Sequence, residues 1–262
     1  MAQHFYGMVV NVSLLENEGL SVPANYSEFS QALTALKDKG YTPIQGPVDH
    51  LYSEIIYSMA DAVIGSDQEL PALIDNGLTD YAVNETYPAD NYDQAILRFF
   101  EGDVPFWVCD TEKASGMKKR ESKSEAFTAS PFEYQFVFVP FGDNGVYEYR
   151  EPWSGFSVNK DAPDFDYAVE FIRFLATEPE LNRIAEIKGV PFATKTPSAG
   201  VYSGVANVTN AELSYTNSGA VKPHIQSYLA RCAKALATGE ISSAGEAAEQ
   251  FVQDCSTVSR ED

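Results

Sequence analysis

The sequence has few cysteines and no long apolar run. Its 262 residues include only three cysteines, Cys109, Cys232 and Cys255, and no Cys-x-x-Cys spacing. An odd number of cysteines without that spacing indicates neither a zinc site nor a disulfide framework. No apolar run reaches the roughly 18 residues that a membrane-spanning helix needs, so we expect no direct membrane insertion by this chain.

Basic residues are also scarce. The chain has 18 lysines and arginines against 38 acidic residues, which gives a formal net charge of -20. A surface of this sign repels phosphate backbones and anionic lipid, which argues against nucleic acid as a partner. Neutral and cationic ligands remain as candidates.

Motifs for catalysis and for metal binding are missing as well. The histidines, His4, His50 and His224, are scattered, and neither His-x-x-x-His nor Gly-x-Ser-x-Gly nor a glycine-rich phosphate loop occurs. We therefore predict no catalytic residue, no metal and no cofactor.

A well-marked helix lies near the start of the chain. Asn25 is placed to cap it, with Glu28 three positions on as in a capping box, so the helix is predicted to begin near Tyr26. Gly40 suits the left-handed exit of such a helix. One face is apolar and is formed by Tyr26, Phe29, Leu33 and Leu36.

The rest of the chain alternates between strand and helix patterns. Strands are predicted over 6–12, 104–109, 132–141 and 146–150, and amphipathic helices over 92–100 and from residue 166. The turn Gly142-Asp143-Asn144-Gly145 predicts that the last two of these strands pair as a hairpin. In the helix after residue 166, Ala168, Phe171, Ile172 and Leu175 form one apolar stripe.

Three sequence blocks occur in a distinctive order. The first is 14–44, and the second is Phe-Phe-Glu-Gly-Asp-Val-Pro-Phe at 99–106. The third joins Phe-Val-Pro-Phe-Gly at 138–142 to Glu-Pro-Trp-Ser-Gly-Phe-Ser-Val-Asn-Lys at 151–160. Their order and spacing resemble the family-1 extracellular solute-binding proteins of bacterial ABC importers, of the maltose-binding-protein type.

The resemblance implies an α/β, periplasmic-binding-protein-like fold with two lobes joined by crossing strands. It maps 1–12 to a crossing strand, 13–106 to a second-lobe segment and 107–150 to a return segment of the first lobe. Residues 151–262 become a crossing strand and the helical end of the second lobe. The opening part of the first lobe has no counterpart, so we expect a truncated chain or a first lobe supplied by another polypeptide, and weak ligand binding by this chain alone.

The resemblance also implies a set of ligand contacts in the cleft between the lobes. Aromatic rings stack on sugars, and carboxylates accept hydrogen bonds from their hydroxyls. By position within or shortly after the matching blocks, the candidates for ligand binding are Trp153, Tyr52, His50, Trp107, Asp110 and Glu151. For Glu151, an ion pair at the surface, with Arg150 beside it, is an alternative use.

The implied function is capture of a sugar or oligosaccharide, without chemistry, for delivery to the membrane subunits of an ABC permease. The implied location is the outer face of a bacterial cell, through a lipoprotein anchor, or the periplasm; the chain itself starts without a signal-peptide pattern. Two alternatives stay open. One is a glycosidase, since carboxylates are plentiful, and the other is a surface carbohydrate-binding or adhesive domain without a transport role.

Overall fold

The fold mixes strands and helices in alternation. The computed structural model describes residues 3–45, 92–140, 147–152, 155–188, 202, 212–214, 227–228, 231–232, 234–236 and 239–257. The strands are β1 (Gln3–Asn11), β2 (Ile44–Gln45), β3 (Phe106–Asp110), β4 (Tyr134–Val137), β5 (Tyr147–Pro152) and β6 (Glu212–Ser214).

Most helices connect or follow these strands. They are α1 (Val12–Asn17), α2 (Tyr26–Asp38), α3 (Tyr92–Phe99), α4 (Thr111–Ser115), α5 (Met117–Arg120), α6 (Glu125–Ala129), α7 (Phe165–Leu175), α8 (Glu178–Lys188) and α9 (Ala244–Ser256). A 3-10 turn, Glu121–Lys123, separates α5 from α6. None of the helices among the described residues combines the length and the apolar character needed to cross a bilayer.

β1 is the central strand of the sheet. It pairs antiparallel with β3 through residues 6–10, and β3 pairs in parallel with β2. The other edge of β1 is divided, because Met8 to Asn11 pair with β4 whereas Gln3 to Phe5 pair with β5. β5 in turn pairs in parallel with β6. A single strand therefore joins the β5–β6 ladder to the β2–β3–β4 part of the sheet.

Side chains alternate between two apolar cores on opposite faces of this sheet, as the period of two along a strand requires. Met8, Phe106 and Val137 point to the face covered by α2, which contributes Phe29, Leu33 and Leu36. The adjacent residues Val9, Trp107 and Phe136 point to the other face, which α3 covers with Ala95, Ile96 and Phe99. With both faces covered, the strands read as continuous apolar runs.

The capping predicted for α2 is confirmed. Asn25 Oδ1 accepts a hydrogen bond from the Glu28 backbone N–H at 2.9 Å, and Glu28 Oε2 accepts one from the Ala24 N–H at 2.8 Å. The helix ends at Asp38. Gly40 then adopts a φ of 90°, a backbone angle that residues other than glycine rarely adopt. These local signals fix both ends of the helix.

One other expectation is wrong. β4 and β5 do not form a hairpin with each other; they bind consecutive stretches of the same edge of β1. In the predicted stripe of α7, Ala168, Ile172 and Leu175 are half-buried, whereas Phe171 is 60% exposed, and no residue of this helix is fully buried. The sequence at 142–145 predicted that the chain would reverse and that β5 would pair with β4. In the structure β5 pairs with β1 instead.

The predicted division of the chain at residue 106 also needs revision. β3 begins at Phe106 and pairs with both β1 and β2, so 107–139 share a sheet and two cores with 7–45. The boundary between 106 and 107 therefore does not separate two structural units. The other predicted boundaries stay predictions.

Candidate functional site

The carboxyl ends of three strands meet at one edge of the sheet. β2 and β3 are parallel and end at Gln45 and Asp110, and β4, antiparallel to β1, ends beside Met8. In α/β sheets, ligands bind beyond the carboxyl ends of the strands. This edge is also where β1 exchanges β5 for β4, between Phe5 and Met8. We call it the exchange corner and define it by Gly7, Asp110, Thr111 and Phe136.

Gly7 allows the strands to approach closely at the exchange corner. A Cβ atom on this residue would lie 2.7 Å from Phe136 Cζ and closer still to the backbone carbonyl oxygen of Val137. Both neighbours belong to β4 and are buried. A glycine is therefore required here for close contact between β1 and β4 and not for a left-handed backbone conformation.

Asp110 lies at the exchange corner and is already engaged. It is 4% exposed; Oδ1 accepts a hydrogen bond from the Lys113 backbone N–H at 2.9 Å, which caps α4, and Oδ2 pairs with Lys113 Nζ. A buried carboxylate requires such partners. Asp110 thus supports the corner from within, and its contact with a solute stays a prediction.

Trp107 lies away from any surface. Its side chain is 2% exposed and packs against Phe99 with ring centroids 6.3 Å apart, in the core on the α3 side of the sheet. Its Nε1–H has no hydrogen-bond partner among the described residues. An enclosed ring offers no face to a sugar, so Trp107 is removed from the candidate site and is a core residue.

The remaining candidates are located only in part. Glu151 lies on β5, where its backbone pairs with that of His4. His50, Tyr52 and Trp153 fall outside the described residues. Their predicted roles as ligand contacts therefore stay predictions.

Tyr202 is a corner residue that the sequence did not reveal. Its hydroxyl donates a hydrogen bond of 2.8 Å to the Thr111 carbonyl oxygen, and its ring meets Phe136 edge-on at 5.6 Å. The side chain is 3% exposed, and this burial, with Cys109 and Asp110 nearby, raises the pKa of its phenol well above the usual value. The partner lies 91 residues away in sequence, so no local pattern could have indicated the contact.

A cavity of about 450 Å³ lies at the opposite end of the sheet. It is bordered by Asn11, Glu18, Gly102 and Asp103, among others. Asn11 is four residues along β1 from Gly7 of the exchange corner, roughly 13 Å for an extended strand. The Glu18 and Asp103 carboxylates are paired with Lys39 and Arg98, respectively. This cavity is separate from the candidate site.

Within the part of the chain that the structure describes, no group of three or more histidine, cysteine, aspartate or glutamate side chains could hold a metal ion. The corner is instead built from one buried carboxylate, backbone carbonyls and aromatic rings. The Asp110 carboxylate and the Thr111 carbonyl are already engaged within the protein, by Lys113 and by Tyr202, respectively.

The sequence profile of bacterial extracellular solute-binding proteins matches residues 1–180. No curated protein matches the sequence.

Solved structures of similar fold include several sugar-binding proteins. A sugar transporter of Bacillus licheniformis in complex with stachyose is 17% identical with a TM-score of 0.67, and the match covers 97% of this chain and 71% of that one. The sugar-binding protein MalE of Xanthomonas citri is 14% identical with a TM-score of 0.67, over 96% of this chain and 68% of that one. The msme binding protein of Bacillus subtilis, in an open conformation, is 14% identical with a TM-score of 0.72, and the match covers 96% of this chain and 69% of that one.

These similarities confirm the predicted fold class. The chain has the α/β fold of the two-lobed periplasmic sugar-binding proteins.

Proposed function

The chain belongs to the family of bacterial extracellular solute-binding proteins, and on that premise we propose that it is the substrate-binding component of an ABC importer. It binds a sugar or an oligosaccharide between two lobes and performs no chemistry on it. The closed, loaded form is presented to the membrane subunits of a permease. The protein acts outside the cytoplasmic membrane, in the periplasm or, through a lipoprotein anchor, at the cell surface.

The divided edge of β1 is the observation that carries this proposal. One strand pairs with β5 at its start and with β4 at its end, so it belongs to two ladders. A strand shared in this way is what a hinge between two bodies requires, because a small change of dihedral angles near residues 6 and 7 would rotate one ladder against the other. Ligand contacts from both sides then favour the closed state.

The ligand class follows from charge and from the fold neighbours. A net charge of -20 disfavours anionic solutes, whereas sugars are neutral. One neighbour of similar fold was solved with stachyose, and another is described as a sugar-binding protein. The proposed ligand is accordingly a sugar or an oligosaccharide.

The proposed contacts are Trp153 for stacking, Tyr52 and His50 from the segment after β2, and Glu151 for hydroxyl hydrogen bonds. Pro152 ends β5 opposite Gln3, so Trp153 follows directly on the ladder that we propose to move. A tryptophan there would stack on a pyranose ring.

The test uses the full gene product that contains this sequence. Titration calorimetry with stachyose, raffinose, malto-oligosaccharides and xylo-oligosaccharides should give saturable binding of at least one of them, and chromatography should recover that sugar unchanged. Cleaved sugar would replace the importer proposal by a glycosidase. Absence of binding to every sugar in the set would contradict the proposed ligand class.

Substitution of Trp153 tests the proposed contact. Trp153→Ala should weaken the binding by roughly tenfold, because stacking and burial of the ring are lost. Phe156→Ala is the matched control, since Phe156 is a nearby aromatic residue that is already 54% exposed. Equal affinity of the two variants would remove Trp153 from the site.

A further inference from the structure

We propose that Tyr202 is a positioning residue of the solute site, because it links the end of β3 to β4 and, through Phe136, to β1 at the exchange corner. The link to solute binding rests on the function proposed above. Tyr202 does not touch the solute in this proposal; it acts through the backbone at Thr111 and the ring of Phe136.

The hydroxyl of Tyr202 fixes the end of β3. It donates to the carbonyl oxygen of Thr111, the first residue of α4, and this bond is buried. Asp110, one residue earlier, caps the same helix and pairs with Lys113. Tyr202 and Asp110 thus determine together where β3 ends and in which direction the chain leaves it.

The ring of Tyr202 acts on the other two strands. It packs edge-on against Phe136 of β4, and Phe136 in turn covers Gly7 of β1 so closely that a Cβ there would lie 2.7 Å from its ring. Gly7 is adjacent to the point at which β1 leaves β5. One side chain therefore contacts the residue that follows β3 through its hydroxyl and β4 through its ring, and Phe136 extends this packing to Gly7 of β1.

The position of these contacts explains why their loss should affect binding. The exchange corner is the place where the β5–β6 ladder joins the rest of the sheet, so a small displacement there changes the angle between the two ladders. Protein side chains that contact the ligand from different ladders would then be misplaced relative to each other. A loosened corner lowers the affinity even if the protein stays folded, because the binding geometry is no longer formed in advance.

The test removes only the hydroxyl group. Tyr202→Phe keeps the ring and its contact with Phe136, so the variant should fold. Tyr134→Phe is the matched control, because the Tyr134 hydroxyl donates a 2.7 Å hydrogen bond to Glu121 Oε1 and Tyr134 pairs with Asn11, at the far end of β1. Both variants lose one phenolic hydrogen bond, and only one of them loses it at the exchange corner.

Two measurements on the full gene product decide the outcome. Relative to Tyr134→Phe, we expect Tyr202→Phe to weaken oligosaccharide binding by roughly fivefold or more and to accelerate amide hydrogen exchange several-fold in residues 109–115, at a similar melting temperature. Equal affinity and equal exchange in the two variants would overturn the proposal and leave Tyr202 as an ordinary core residue.

The two proposals can fail separately. If the unsubstituted protein binds no sugar, the proposed function and the link between Tyr202 and the solute site fail together. Hydrogen exchange still reports in that case whether Tyr202 holds the corner. If the protein binds sugar and only the Tyr202 comparison shows no difference, the positioning role alone is overturned.

Discussion

Two regions of the molecule are rich in apolar side chains but bury these side chains to different extents. The sheet region, residues 7–45 and 95–139, has apolar side chains on both faces of its strands, and nearly all of them are covered. The helical region, residues 155–188, contains α7, in which every residue except Asp166, Glu170 and Arg173 is apolar or aromatic. Yet Tyr167, Phe171 and Phe174 of α7 are all more than half exposed.

The difference shows what an apolar stripe predicts and what it does not. A repeat of three and four residues places side chains on one face of a helix, and this held for α2 and for α3. It does not specify which surface covers that face. For α2 and α3 the sheet lies within the same region, whereas the described residues around α7 leave its aromatic face open.

The strongest test of this comparison replaces one phenylalanine in each region. Phe99→Ala should lower the free energy of unfolding by about 3–5 kcal/mol, because the ring is 1% exposed and its removal leaves a cavity. Phe171→Ala is the matched control and should change it by less than about 0.5 kcal/mol, as expected for a surface residue. Urea unfolding followed by circular dichroism measures both values.

A large effect of Phe171→Ala would contradict the exposure of the α7 face. In that case, the ring would be covered in solution, and the two regions would differ less than the structure indicates. A small effect of Phe99→Ala would instead contradict close packing on the α3 side of the sheet.

Short-range features of the fold could be predicted from the sequence. Asn25 and Glu28 stand three residues apart, and Gly40 follows the last apolar residue of α2, so all the interacting groups lie within one stretch of chain. The apolar run at 104–109 and the aromatic, β-branched run at 132–141 similarly indicated strands, and both contribute to the buried cores. Local chemistry was sufficient in each case.

Long-range features could not be predicted in this way. The strand after the turn predicted at 142–145 pairs with β1 and not with β4, since register along β1 depends on the packing of the whole sheet. Trp107 was expected near a ligand, but on a strand the side chains alternate, and this one points to the α3 core. Tyr202 reaches its partner across 91 residues and carries no local signal.

A second pair of substitutions compares the two regions at glycine. Gly7→Ala should lower the free energy of unfolding by about 1–3 kcal/mol, because the added methyl group meets Phe136 and the Val137 carbonyl in a packed core. Gly155→Ala is the control in the helical region, where a Cβ would have no atom within 4 Å and the backbone is not left-handed. That variant should be neutral or slightly more stable, because alanine restricts the unfolded chain.

Thermal unfolding of the two variants gives the comparison directly. An unchanged melting temperature for Gly7→Ala would mean that β1 and β4 can separate at the exchange corner without loss of stability. The close contact would then not hold the corner, and the role assigned to Phe136 in linking Tyr202 to β1 would lose its support.

The smallest expected effect concerns the starts of two helices. Asn25→Ala should lower the free energy of unfolding by about 1 kcal/mol, because the Glu28 N–H loses its acceptor at the start of α2. Asp164 occupies the equivalent position before α7, but among the described residues its side chain makes no hydrogen bond to the first turn. Asp164→Ala should therefore change stability by less than about 0.5 kcal/mol, through the helix dipole alone. Urea unfolding measures both losses of stability. Equal losses for the two variants would show that α7 is capped in solution as α2 is. The two helices would then differ in the burial of their apolar faces and not in the capping of their first turns.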